Sequence, residues 1–183
     1  MRRSRFILIS SALVLLAVSC DKKRMETVYD KQESNIESLV ELFSNSSEDA
    51  TVERRVETVR VTVAHGDGQA LQENGAVAFY YAGHFINGST LSVSNLFATN
   101  YETYANSVRW SVTDSSAFDI MTIRLGRDEI VEGLRNGLPG VKAGDECYIL
   151  FNGQYGFGKK KIGNVPSNSA LAYHLWIKSV SND

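Results

Sequence analysis

The stretch from Glu129 to Gly158, EIVEGLRNGLPGVKAGDECYILFNGQYGFG, constrains the fold more than any other. Ile130, Val131 and Leu134 make a short apolar helix closed by Gly137, which is expected as its left-handed cap. Pro139-Gly140 cannot continue a helix and turns the chain. Lys142 to Asp145 make a second tight turn, Cys147 to Phe151 a strand, and Gln154 to Gly158 a glycine-rich loop carrying Tyr155 and Phe157. A helix of one or two turns is unstable alone in water. It must rest on the strands around it, and a small helix on a curved antiparallel sheet leaves a concave apolar site. The expected class is therefore α+β: a twisted antiparallel sheet wrapped around one short helix.

The flanking chain fits that plan. Val59, Val61 and Val63 alternate with Arg60 and Thr62, the pattern of a half-buried strand. His65-Gly66-Asp67-Gly68 turns it, Val77 to Phe85 is the next strand, and Ile86-Asn87-Gly88-Ser89 reads as a hairpin turn with Leu91 opening the return. Ile120 to Leu125 is a strand before the central helix, and Leu171, Tyr173, Leu175 and Ile177 alternate in a final one. Ahead of the sheet, Thr27 and Asp30 suggest a helix start. Ile36, Leu39, Val40 and Phe43 then give one apolar helical stripe, for packing on the domain itself or for docking a partner. No internal repeat and no second domain is evident.

Several motifs, in order, resemble the FKBP-type peptidyl-prolyl isomerases. Gly66-Asp67-Gly68, Gly75 and Tyr81-Ala82-Gly83 match that family's G-D-G, its next Gly and its Y-T-G. Residues 131–145, VEGLRNGLPGVKAGD, resemble its helix and following turn, and Tyr155-Gly156-Phe157-Gly158 its Y-x-Y-G loop. Val165-Pro166-Ser167-Asn168-Ser169-Ala170-Leu171 is similar to its I-P-P-N-A-T-L. The resemblance covers roughly residues 56 to 180. It implies prolyl isomerisation in a pocket lined by Tyr81, Leu91, Met121, Ile130, Val131, Leu134, Phe157 and Tyr173. Tyr81, Val131, Phe157 and Tyr173 would act on the substrate, with the Val131 N–H meeting its carbonyl. Leu91, Met121, Ile130 and Leu134 would bind it.

The chain departs from the family in places. Leu134 stands where Trp is usual, Leu91 where Phe is usual, Ser92 at a pocket-edge Asp, and Phe157 at a Tyr whose hydroxyl binds a carbonyl. Residues 92–118 form a much longer connection, with Phe97, Tyr101, Tyr104 and Trp110 among Ser, Asn and Thr. Such length suits a flap or a partner surface, or a loop laid on the domain's own flank.

The N-terminus is a separate matter. Arg2, Arg3 and Arg5 precede an apolar run from Phe6 to Val18, the form of a secretory signal. Ala17-Val18-Ser19-Cys20 resembles a bacterial lipobox, which implies a signal peptide over 1–19, acylation of Cys20 and a lipid anchor in the cell envelope, at the outer membrane or periplasmic face. Asp21 to Met25 would be a charged tether, residues 20–55 a helical extension, and 56–183 the domain. Three of the 19 basic residues lie in the signal, so without it acidic residues outnumber basic ones, 21 to 16. That balance argues against nucleic acid as a partner.

His65, His84 and His174 are scattered, with no HExxH and no paired cysteines, and no nucleophile elbow or P-loop appears. Cys147, in an alternating strand, reads as buried and inert. Prolyl isomerisation needs no cofactor, so the expected partners are proline-containing polypeptides. Residues 92–118 or the N-terminal helix could add an envelope protein. The rival reading is a non-catalytic lipoprotein subunit that uses the same groove to hold such a partner.

Overall fold

A computed structural model describes residues 4–111 and 115–183, and the side chains of residues 23–111 and 116–183. The chain runs α1 (Ser4–Ser44), β1 (Thr51–Arg55), β2 (Thr58–Ala64), β3 (Ala76–Phe85), β4 (Leu96–Thr99), α2 (Glu102–Ser107), β5 (Met121–Arg124), α3 (Glu132–Gly137), β6 (Glu146–Phe151) and β7 (Leu171–Ser181). The strands form one antiparallel sheet in the order β1-β2-β6-β7-β3-β4, with β5 also paired to β3.

Strand alternation divides the side chains between two faces. The inner face carries Val77 and Phe79 from β3, Ile149 and Phe151 from β6, and Leu171 and Leu175 from β7. These meet Leu134 of α3 and Leu138 and Val141 just beyond it. The outer face carries Val59 and Val61 from β2, Leu150 from β6 and Ala172 from β7, covered by Ile36, Leu39, Val40 and Phe43 of α1. Each fully buried Val, Leu, Ile or Phe among them contributes about 1.5–3 kcal/mol. The apolar stripe of α1 is thus spent on its own domain, and β2 is buried on both faces rather than one.

α1 does not begin at Thr27. It is helical through Asp21–Met25 as well, so the expected tether is continuous with the helix. The Thr27 hydroxyl donates back to the Lys23 carbonyl (3.1 Å), a bond made inside a helix and not at its start. The expected signal segment and Cys20 lie outside the residues whose side chains are described.

β1, unforeseen from its exposed charged sequence, forms a two-residue hairpin with β2. Its turn places Val56 (φ 35°) and Glu57 (φ 56°) in the left-handed region. After β3 the chain does not return at Leu91. A 3-10 turn at Val93–Asn95 intervenes, and β4 pairs with β3 only from Leu96.

α3 is fixed by what its glycines allow. A Cβ at Gly133 would land in the Phe151 ring, and one at Gly137 would meet the Ile149 side chain. Gly137 is therefore small for packing and not for a left-handed cap. The positive φ belongs to Gly140, at 93°. The open carbonyls at the end of α3 are satisfied by the buried Arg60, whose Nη1 donates to Gly137 O (2.8 Å) and Pro139 O (2.7 Å). Asp145 ties the two glycine turns together, accepting from Gly66 N (2.7 Å) and Lys142 N (2.8 Å).

Candidate functional site

Between α3, β3, β5 and β7 the inner face opens into a pocket of about 410 Å³. Phe79, Tyr81, Met121, Glu129, Ile130, Val131, Leu134, Phe157 and Tyr173 line it. Each element contributes for a local reason. Phe79 and Tyr81 are two apart on β3 and share a face, as do Tyr173 and Leu175 on β7. Met121 opens β5 directly opposite Phe79. Leu134 sits one turn inside α3, almost fully buried.

The walls are aromatic. Tyr81 and Tyr173 have centroids 5.9 Å apart, and Phe151 stacks behind Tyr173 at 6.0 Å. Phe97 of β4 meets Phe157 at 5.9 Å and Tyr173 at 5.8 Å, both edge to face. Gly83 makes that approach possible, because a Cβ there would run into the Phe97 ring.

Polar groups here are few and unspent. Among the described residues neither the Tyr81 nor the Tyr173 hydroxyl has a hydrogen-bond partner, and nor does the Val131 N–H at the entrance to α3. Burial pushes both phenols above their ordinary pKa, with the Tyr81 charge adding to the effect on Tyr173. Both therefore stay protonated at neutral pH, as hydrogen-bond donors. Phe157 lacks a hydroxyl, so these two supply the phenolic donors of the pocket.

Seven of the eight residues expected at the pocket are brought together there. Leu91 is the exception. It packs with the α1-side residues on the outer face, because the chain completes the 3-10 turn before it rejoins the sheet. Ser92 is not at the pocket edge either, being exposed and capping that turn through Ser94 N (3.2 Å). From the same connection it is Phe97 that reaches the inner face, packing on Phe157 and Tyr173. Phe79 and Glu129 were also unforeseen, although the two-residue spacing to Tyr81 was a usable signal for Phe79.

The insertion is not a bare loop. β4 and α2 lie within it; Phe97 packs on the inner face, while Tyr101 and Tyr104 fold onto the outer flank. Tyr101 lies on Trp176 (4.5 Å) and Tyr80 (5.2 Å), and Tyr104 on Trp176 (5.8 Å). Residues 112–114 of the expected flap lie outside the described residues. Nor are the histidines of the flank isolated. His84 is buried between Ser92 O (3.2 Å) and Tyr104 OH (3.1 Å), and His174 contacts Glu146 (2.7 Å) beneath Trp176. Cys147 is fully buried, which pushes its thiol up to about 12 and leaves no nucleophile.

Comparison with known proteins agrees with this geometry. The family model described as FKBP-type peptidyl-prolyl cis-trans isomerase matches residues 68–178. A Saccharomyces cerevisiae protein named peptidyl-prolyl cis-trans isomerase is 26% identical over 117 residues, 64% of this chain and 23% of its own length. The Kluyveromyces lactis FK506-binding protein 3 is 26% identical over 115 residues, 63% of this chain and 22% of its own. The chain thus spans about a quarter of the length of these curated relatives. Among solved structures, FkpA from Escherichia coli is similar with a TM-score of 0.55 and 18% identity, over 99% of this chain and 74% of that one. The three FKBP domains of wheat FKBP73 give a TM-score of 0.58 and 15% identity, over 73% of this chain and 52% of theirs. At these identities the structures speak for the fold alone, but the family model covers more than half of the sequence. This chain belongs to the FKBP-type peptidyl-prolyl cis-trans isomerase family.

Proposed function

We propose that the protein catalyses cis–trans exchange of X-Pro bonds in polypeptides, in the pocket between α3 and the inner face of the sheet. The observation that carries this reading is an apolar aromatic pocket in which two phenol hydroxyls and one backbone N–H have no partner among the described residues. The uncatalysed barrier is about 20 kcal/mol, because amide resonance must be broken. The twisted amide is less dipolar than the planar one, so a dry cavity lined by Met121, Ile130 and Leu134 disfavours the planar form. The Val131 N–H would hold a substrate carbonyl, and the Tyr81 and Tyr173 hydroxyls would meet the oxygen of the rotating amide. Each ~1.4 kcal/mol gained in the twisted state is tenfold in rate. Glu129, at the exposed rim, would meet residues flanking the proline.

The rival reading is a groove that binds without turnover, favoured by Phe157, which offers shape but no hydroxyl. A proline-limited refolding assay with catalytic amounts of the protein separates the two. Acceleration that falls in a Tyr173→Phe variant supports the enzyme, and a folded protein that leaves the buffer rate unchanged supports the binding module.

We also propose that the protein resides in a bacterial cell envelope, held by acyl chains on Cys20. Arg2, Arg3 and Arg5, the apolar run from Phe6 to Val18, and Ala17-Val18-Ser19-Cys20 support this. Membrane fractionation tests it: the wild type should carry lipid mass and sediment with membranes, while Cys20→Ala should be soluble or unprocessed. A soluble wild type without lipid mass would refute the anchor.

A further inference from the structure

The loop that carries Tyr155 and Phe157 leaves the sheet after Phe151 and returns at Leu171. Its neck is narrow. A Cβ at Gly153 would run into the backbone of Asn168, which itself sits at φ 56° and donates its N–H to Gly158 O (2.6 Å). Into this neck reaches α1, an element more than a hundred residues away in sequence. Gln32 Oε1 accepts from Gly153 N (2.8 Å), and Gln32 Nε2 donates to Asn168 O (2.6 Å). One side-chain amide thus joins both strands of the neck, as a peptide group does between two β-strands, and only one orientation of that amide satisfies both. Beside it, Glu33 accepts from Asn152 Nδ2 (2.6 Å), and Asn152 Oδ1 accepts from Gln154 N (3.0 Å).

The hold extends to the pocket. Tyr155 O accepts from Gly133 N (2.8 Å), in the first turn of α3 and two residues from Val131. The bonds therefore run from α1 through the neck and the loop to α3, and the loop and α3 both supply pocket residues. An apolar helix-on-sheet contact would need none of them. The α1 stripe of Ile36, Leu39, Val40 and Phe43 already secures the helix.

We infer that Gln32 is a positioning residue for the pocket: through the 153–168 loop it fixes Phe157 and the start of α3, so α1 is part of the catalytic apparatus and not only a spacer. This rests on the isomerase reading given above. The test uses the full chain and three variants. Gln32→Ala removes both bonds to the neck. Gln32→Glu keeps the acceptor for Gly153 N–H and loses the donor to Asn168. Glu37→Ala removes a surface ion pair of the same helix with Arg54 and touches nothing in the loop. With an X-Pro peptide, kcat/KM should fall roughly three- to tenfold in Gln32→Ala, the worth of one or two hydrogen bonds. It should fall less in Gln32→Glu and stay at the wild-type value in Glu37→Ala. Amide exchange should quicken at Gly133, Gly153 and Asn168 in Gln32→Ala but not in Glu37→Ala.

Unchanged kcat/KM with unchanged exchange in Gln32→Ala, or equal losses in Gln32→Ala and Glu37→Ala, would overturn the inference. A wild type that does no better than buffer defeats the isomerase reading instead. In that case the exchange at Gly133 decides alone: quickening in Gln32→Ala upholds the link from helix to pocket, and no change refutes it.

Discussion

The two faces of the sheet carry similar aromatic and polar side chains under different cover. On the outer face Tyr148 lies between Phe43 (3.7 Å) and His174 (4.1 Å), and His174 continues to Trp176 (3.9 Å). Both imidazoles of that face are hydrogen-bonded, and α1 and the insertion cover it. On the inner face the rings stand further apart, Tyr81 and Tyr173 at 5.9 Å, and among the described residues neither hydroxyl has a hydrogen-bond partner. The strands are the same, and so is the alternation that fills them. What differs is the cover: a long helix closes one face, while α3 has only six residues and leaves part of the other open. A hydroxyl that faces an open pocket keeps its capacity to donate, so it is free to meet whatever enters there.

The hardest blow to this contrast falls on the inner face. Gly133→Val puts branched carbon into the Phe151 ring, and overpacking of this kind costs about 1–3 kcal/mol or more. The denaturant midpoint should drop accordingly, and an unchanged midpoint would show that α3 does not bear on Phe151. Next, Tyr173→Phe should lower kcat/KM for an X-Pro peptide by about 1–2 kcal/mol, up to roughly 30-fold, since a lost bond to a polarised oxygen is worth that much. Stability should hardly change, because the hydroxyl has no hydrogen-bond partner among the described residues. A stability loss without a kinetic one would make it a core residue. Phe157→Tyr should move kcat/KM the other way, by about 0.5–1.5 kcal/mol. Phe157→Ala should fall below wild type, and equal rates for all three proteins would remove Phe157 from the site.

The smallest effect belongs to the outer face. Burial lowers the pKa of His84 below its usual 6.5, against a raising contribution from the Ser92 carbonyl. It lowers that of His174 too, although Glu146 opposes the shift. A depressed histidine pKa means that the unfolded chain takes up protons first as pH falls. The stability these residues contribute is complete above about 6.5 and declines below it. Denaturant midpoints from pH 7.5 to 5 should show that decline, and His84→Gln should flatten it. A profile indifferent to the substitution would mean that the outer face does not take part.

The inner face was the more legible of the two. Leu171, Tyr173, Leu175 and Ile177 announce their shared side by period two, and the short helix declares itself through Pro139-Gly140 and the need to bury Leu134. Residue spacing failed where the chain leaves the sheet. Leu91 stands at a pocket position by resemblance, yet a 3-10 turn and a register shift at Gly83/His84 leave it on the outer face and bring Phe97 against Tyr173 instead. β4 has only four residues, too short for alternation to distinguish it from loop. β1 is concealed by its charges, for an edge strand exposed to water has no apolar pattern to show. The bonds from Gln32 were out of reach altogether, since nothing local marks a glutamine that will meet a loop over a hundred residues away.

The hairpin that joins β1 to β2 leaves room for engineering. Val56 and Glu57 occupy a two-residue turn that Asn-Gly fits far better, and Val56 is also 69% exposed, so it gains little from burial. Left-handed backbone at such residues costs about 1–3 kcal/mol each. An Asn-Gly turn here would recover part of that at the far edge of the sheet, away from the pocket. The protein so reinforced could carry the more damaging pocket variants while staying folded, so that their kinetics report on chemistry and not on collapse.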